Sequence, residues 1–197
     1  DVQSRGMIVL HRFNLFKRLE SSVFSFEETL RRLLERIERT EQLLLKGSGE
    51  VDQEDADFDD SGDDGVYIEG KYEIDVRHLR IDDYLDDLAS DKCIIAEIHK
   101  NARKILEEER DRKLIDLKEI IRKKVEETPY NSGNKKVLVF SAFADTVEYL
   151  YKNLAGEMLQ YGVYTASVTG KGVKTNNDNI DADFNSVLCA FSPMSKT

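Results

Sequence analysis

The chain has 197 residues, of which 35% are charged and 40% apolar, and its formal net charge is −10. With a mean hydropathy of −0.50 and no apolar run of bilayer length, a helical membrane span is excluded, and the opening residues do not read as a secretory signal. Cys93 and Cys189 are the only cysteines; two thiols 96 residues apart exclude a disulfide framework, so a reducing, cytoplasmic setting is expected.

The acidity is local. Residues 49–65 hold nine acidic groups and no basic one, whereas residues 1–48 hold nine basic against seven acidic. Residues 66–130 hold 14 basic and 17 acidic groups, and residues 131–197 hold six of each. Outside one 17-residue stretch the chain is therefore close to neutral, and its overall sign does not exclude a polyanionic partner.

From Asn14, the residues Phe16, Leu19, Val23, Phe26, Leu30, Leu33 and Ile37 recur at alternating spacings of three and four, and Leu44 extends the stripe. This predicts a helical arm, about 50 Å long if it runs unbroken from 14 to 46. Ser21, Ser22 and Ser25 mark a kink or a boundary within it, and Gly47-Ser48-Gly49 a stop. Residues 49–65 read as a flexible acidic loop, too poor in apolar groups to offset the entropy of ordering. Structure is expected to resume at Tyr67, Tyr72 and Ile74. A short amphipathic segment at 79–90 follows, then a helical stripe through Ile95, Ile98, Ala102 and Ile105. The register breaks near Glu107–Lys113. A new helix with Asp111 as its cap carries Leu114, Leu117, Ile121 and Val125. Residues 128–134 form a loop by composition.

Beyond Gly133 the pattern changes. Val137-Leu138-Val139-Phe140 is a continuous apolar run of the kind found in buried parallel strands. A helix follows through Val147, Leu150, Tyr151, Leu154 and Met158, capped by Asp145 or Thr146. A second strand is expected over Tyr164–Val168, a turn at Thr169–Gly172, and a last short helix through Phe184, Val187, Leu188 and Phe191. The order β-α-β-α predicts an α/β architecture. Two strands do not make a stable parallel sheet, so residues 111–197 read as the incomplete beginning of such a domain. The expected divisions are an arm at 1–48, the acidic loop at 49–65, a helical segment at 66–110 and the α/β part from 111.

Few motifs carry chemistry. A phosphate loop fails at Thr165 and at Gly172 around Gly170-Lys171, so no autonomous nucleoside triphosphate site is expected. Asp57-Phe58-Asp59-Asp60-Ser61-Gly62 resembles the start of a calcium loop, but Ile68 stands where a bidentate carboxylate is needed and Asp64 where an apolar residue is. His11, His78 and His99 pair with nothing at ligand spacing, so neither a metal centre nor a catalytic residue is assigned. Arg32, Arg36 and Arg39, with Lys17 and Arg18, could follow a phosphate backbone. The interleaved Glu28, Glu35 and Glu38 favour a solvated face of ion pairs instead.

The most specific text is Lys135-Lys136-Val137-Leu138-Val139-Phe140-Ser141-Ala142-Phe143-Ala144-Asp145-Thr146-Val147-Glu148-Tyr149-Leu150. It resembles the first strand and helix of the second RecA-like lobe of bacterial Swi/Snf-like superfamily 2 helicases. Asp111-Arg112-Lys113-Leu114 with Leu117 is similar to the helix leading into that strand, Val168-Thr169-Gly170 to the end of the second strand, and Asn185 through Pro193 to the helix before the third. Asn14-Leu15-Phe16-Lys17-Arg18-Leu19-Glu20-Ser21-Ser22 resembles a helical arm between the lobes. The resemblance implies a truncated RecA-like parallel sheet, the helicase C-terminal lobe, behind a long helical arm. It implies part of an ATP-dependent DNA helicase or translocase in which Ser141, Thr146, Thr169 and Gly170 contact the nucleic-acid backbone. The implied partners are double-stranded DNA and the first RecA-like lobe. The Walker motifs of the first lobe and the arginine finger motif of the second are not among these residues. ATP and Mg²⁺ are therefore expected in the parent enzyme, not on this chain, which should be inactive alone. The alternative is a helical protein–protein interaction module whose acidic loop meets a basic partner.

Overall fold

Helical periodicity carries through most of the chain that the structure, a computed structural model, describes: residues 2–46, 80–127 and 133–192. Six helices are present there, α1 (Val2–Ser21), α2 (Val23–Lys46), α3 (Ile81–Glu107), α4 (Arg112–Glu126), α5 (Ala144–Gln160) and α6 (Phe184–Phe191). Two short strands, β1 (Ala166–Thr169) and β2 (Gly172–Thr175), lie between α5 and α6. The chain divides into two units after Glu108. Glu109 next to this division holds a left-handed backbone with φ 51°, which accounts for the broken helical register there.

In the N-terminal unit the expected arm is two helices, and α1 begins well before Asn14. The break is chemical. Ser22 leaves the helical path and its Oγ accepts a hydrogen bond from Ser25 N at 3.0 Å, while its carbonyl accepts Phe26 N at 3.2 Å. It is thus the N-cap of α2, and a hydroxyl at this position satisfies an otherwise orphaned amide. From Ile81 on, the expected short segment and the stripe from Ile95 form one continuous helix, α3, because Ala89-Ser90-Asp91-Lys92 contains no residue that stops one. Helices α2 and α3 pack together, with Leu30 and Ala102 buried. They run antiparallel: Glu27 near the start of α2 meets His99 (2.8 Å), and Glu38 and Glu41 farther on meet Lys92 (3.3 and 2.9 Å). The Gly47–Gly49 stop, the acidic loop, the calcium-like segment, His78, and Tyr67, Tyr72 and Ile74 lie outside the described residues.

In the C-terminal unit Asp111 caps α4 as expected, its Oδ1 accepting from Lys113 N (3.1 Å) and Leu114 N (3.2 Å). Ile121 and Val125 of α4 pack on Leu154 and Met158 of α5, and Leu117, Val137, Leu150, Tyr161 and Val163 close around them. Each such apolar side chain contributes about 1.5–3 kcal/mol when removed from water.

The truncated RecA-like parallel sheet is not formed. The described chain is predominantly helical, and among the described residues its one sheet is an antiparallel hairpin, β1 on β2, with Ala166 opposite Thr175 and Thr169 opposite Gly172. The turn expected at Thr169–Gly172 does form, but it sends the chain straight back along β1. Gly172, at φ 142°, takes a backbone that L side chains rarely adopt. A tight turn supplies a neighbour within a few residues, whereas a parallel neighbour requires a long crossover. Val137–Phe140 has no regular secondary structure and joins no ladder with a described strand. The short last helix stands as expected, capped by Asp183.

Candidate nucleic-acid interface

The four residues assigned to backbone contact fall in two places. Ser141 follows the Val137–Phe140 run and closes a turn: its Oγ accepts from Phe143 N at 3.2 Å and lies 3.3 Å from Phe143 O, to which it can donate. That turn delivers the chain to the N-terminus of α5. Phe143 holds the N-cap position there, not Asp145 or Thr146. Asp145 sits instead in the first turn, where a carboxylate complements the helix dipole. Thr146 is only 4% exposed, so its side chain presents almost no surface to a polymer in this conformation.

Thr169 and Gly170 lie at the tip of the hairpin. Thr169 Oγ1 accepts from Lys171 N and donates to Gly172 O, each at 3.3 Å, and Gly170 is exposed. The expected geometry set Ser141, Thr169 and Gly170 on the carboxyl edge of one parallel sheet, with Thr146 at the start of the helix that follows. What connects them instead is the packing of α5 on β1. Asn176 fastens the base of the hairpin: its side chain accepts from Thr165 N (2.7 Å) and donates to Ala155 O of α5 (2.7 Å).

The basic groups near these positions are Lys135, Lys136 and Lys171, all exposed, together with Lys174, which lies 3.7 Å from Glu148. Lys136 Nζ sits 5.7 Å from the centre of the Phe191 ring. The basic stripe on the arm is partly engaged in contacts within the arm. Arg18 is 5% exposed and donates to Ser25 Oγ at 3.2 Å, so it faces inward. Arg31 bonds both Glu28 (2.8 Å) and Glu35 (2.6 Å), and Arg32 lies 3.7 Å from Glu28. The hydrogen bond from Arg31 holds the Glu28 carboxyl below the usual carboxylate range against the opposing effect of burial. Lys17, Arg36 and Arg39 are exposed, with Lys17 stacked 4.6 Å over Phe13.

One buried polar joint was legible only in part. Asp111, 4% exposed, also accepts from the Tyr149 hydroxyl through Oδ2 at 3.1 Å. Burial, followed by the Asp111 charge, pushes the Tyr149 phenol well above its ordinary value. The sequence marks Asp111 as a cap, but no local pattern ties it to a residue 38 positions on.

Gly170-Lys171 lies in a hairpin turn and not between a strand and a helix, so this pair does not form a phosphate loop. Among the described residues no group of three His, Cys, Asp or Glu side chains is poised to hold a metal ion. A wide-mouthed depression of about 570 Å³ beside α6 is lined by Asp178, Asp181, Ile180 and Cys189 among others; its two carboxylates suit a phosphate poorly. Among the described residues no helix is long and apolar enough to cross a membrane.

No protein-family model, no curated protein and no solved structure matches this chain.

Proposed function

We propose that the chain is part of an ATP-dependent DNA helicase or translocase and helps its second motor lobe grip the nucleic-acid backbone. The observation that carries this reading is the mostly exposed run from Lys135 to Ser141, which leads through a serine turn directly into the N-terminus of α5. Lysines at the entrance, a hydroxyl at the turn and a helix N-terminus beyond it are groups that complement phosphate oxygens. Lys171 at the hairpin tip adds a further cation. The partner is duplex DNA, and a first motor lobe closes on this one when ATP is bound. ATP and Mg²⁺ belong to the parent enzyme, and the cell compartment is the cytoplasm.

The test is binding of a labelled duplex of about 30 base pairs, followed by fluorescence anisotropy from about 50 to about 200 mM salt. Weak binding that falls steeply with salt is expected. The triple charge reversal Lys135→Glu, Lys136→Glu and Lys171→Glu should weaken it at every salt concentration and flatten the salt slope by about 2.7. Binding untouched by the triple variant overturns the assignment of this surface.

A second reading has one observation in its favour: Asp82, Asp83, Asp86 and Asp87 are all exposed on the first turns of α3, a surface suited to a basic protein partner. Deleting residues 49–65 and replacing these four aspartates by asparagine separates the two. DNA affinity stays level or rises under the first reading, whereas binding to a basic partner is lost under the second.

A further inference from the structure

We propose that Asn176 is a positioning residue for the nucleic-acid contact. It clamps the β1–β2 hairpin along α5, so that Lys171 at the hairpin tip and the Ser141 turn at the α5 N-terminus meet the same stretch of phosphate backbone. The inference rests on the DNA-gripping role proposed above. Asn176 Oδ1 accepts from Thr165 N and its Nδ2 donates to Ala155 O, each at 2.7 Å, while its own backbone N–H donates to Thr165 O at 3.1 Å. A backbone N–H needs an acceptor and a carbonyl needs a donor, and the asparagine amide carries one group of each kind. One short side chain thus ties the base of the hairpin to α5.

A second tie gives the direction. Lys174 precedes Asn176 on β2 and lies 3.7 Å from Glu148, which precedes Ala155 on α5. Followed from base to tip, the hairpin therefore points towards the N-terminus of α5. The lengths agree. About 16 Å of helix separate Ala155 from Ala144, and about 14 Å of strand separate Asn176 from Gly172. The tip reaches the level of the α5 N-terminus, where the Ser141 turn lies. The Lys174–Glu148 pair is exposed and contributes little to holding this arrangement, so the clamp falls to Asn176. A lysine on a tip that is free to swing loses part of its contact energy to ordering, whereas a lysine held in place does not.

Asn176→Ala removes the clamp without changing the charge. Binding of the labelled duplex against salt is measured for the unmutated chain and for Lys171→Glu, with and without Asn176→Ala, and circular dichroism checks that each variant folds. With Asn176 in place, Lys171→Glu should flatten the salt slope by about 0.9; with alanine there, it should flatten it by less than about half of that. The pair Lys135→Glu and Lys136→Glu should flatten it equally in both backgrounds. A general loss of stability would not single out Lys171 in this way. If the alanine variant fails to fold, Asn176→Asp takes its place in the same comparison, since aspartate keeps the acceptor for Thr165 N and lacks the donor for Ala155 O. A Lys171 effect of equal size in both backgrounds overturns the role of Asn176 and leaves the DNA reading standing. Lysine variants without effect in the unmutated chain overturn both.

Discussion

Replacing Asp111 by alanine removes three hydrogen bonds at once from the start of α4. Its Oδ1 satisfies the amides of Lys113 and Leu114, and its Oδ2 accepts from the Tyr149 hydroxyl. Loss of an N-cap side chain costs about 1 kcal/mol, within a range of about 0.5–2. Tyr149 is left without this acceptor, and because it is only partly buried the cost lies near the low end of the usual range, about 1 kcal/mol. The expected total is about 2 kcal/mol. Asp111→Asn should lose less than half of that, since asparagine caps as well as aspartate. Tyr149→Phe alone should cost about 0.5–1 kcal/mol, and the double variant should reveal a coupling of similar size. Urea denaturation followed by circular dichroism gives the four stabilities, and hydrogen exchange over residues 112–126 confirms that the loss is felt in α4. An Asp111→Ala chain within about 0.5 kcal/mol of the unmutated one, or a coupling of zero, refutes the joint described here.

The raised Tyr149 pKa fixes the sign of an alkaline effect: the neutral phenol is favoured in the folded state, so its contribution is intact below the ordinary tyrosine value of about 10 and is lost as pH rises past it. Of the eight tyrosines, absorbance titration at alkaline pH should find one that ionises late, and Tyr149→Phe should remove it. Glu28 has the opposite sign, with a lowered pKa whose stabilising effect is lost as pH falls; Glu28→Gln should flatten the acid limb of the stability profile in urea melts. Leu154→Ala should cost about 2–5 kcal/mol through the cavity it leaves, whereas Leu138→Ala should stay within about 0.5 kcal/mol of the unmutated chain, both measured by urea melts. Ser22→Ala should cost about 1 kcal/mol by uncapping α2, read as faster hydrogen exchange in residues 23–27.

Helix α4 was legible in detail, because its cap and its apolar spacing are encoded within one turn of each other. The boundary inside the arm was visible as three serines, but which of them stops α1 depends on the Ser22–Ser25 hydrogen bond. Strand β2 was missed because Gly172-Val173-Lys174-Thr175 has only one large apolar residue; its alternation beside a Gly-Lys turn was the available signal. Of the candidate contact residues, Ser141 was expected at the end of a buried parallel strand, but the run before it is exposed and forms no strand with a described residue, whereas Thr169 and Gly170 do lie at the expected turn. The burial of Thr146 depends on which face of α5 meets the rest of the unit. Arg18 looked like a member of a basic stripe for the same reason, since spacing places a side chain on a helix face without saying whether that face is covered.

By itself, the sequence determined the main helical stripes, the Asp111 cap and the turn at 169–172, because these follow from backbone and side-chain chemistry within a few residues. Tertiary structure alone decided which run found a partner. Val137–Phe140 is the more apolar strand candidate and is unpaired among the described residues, while the weaker segment at 172–175 is paired because a tight turn carries it back to β1. Pairing is a property of two segments and of the entropy of bringing them together, and no pattern within one segment contains it.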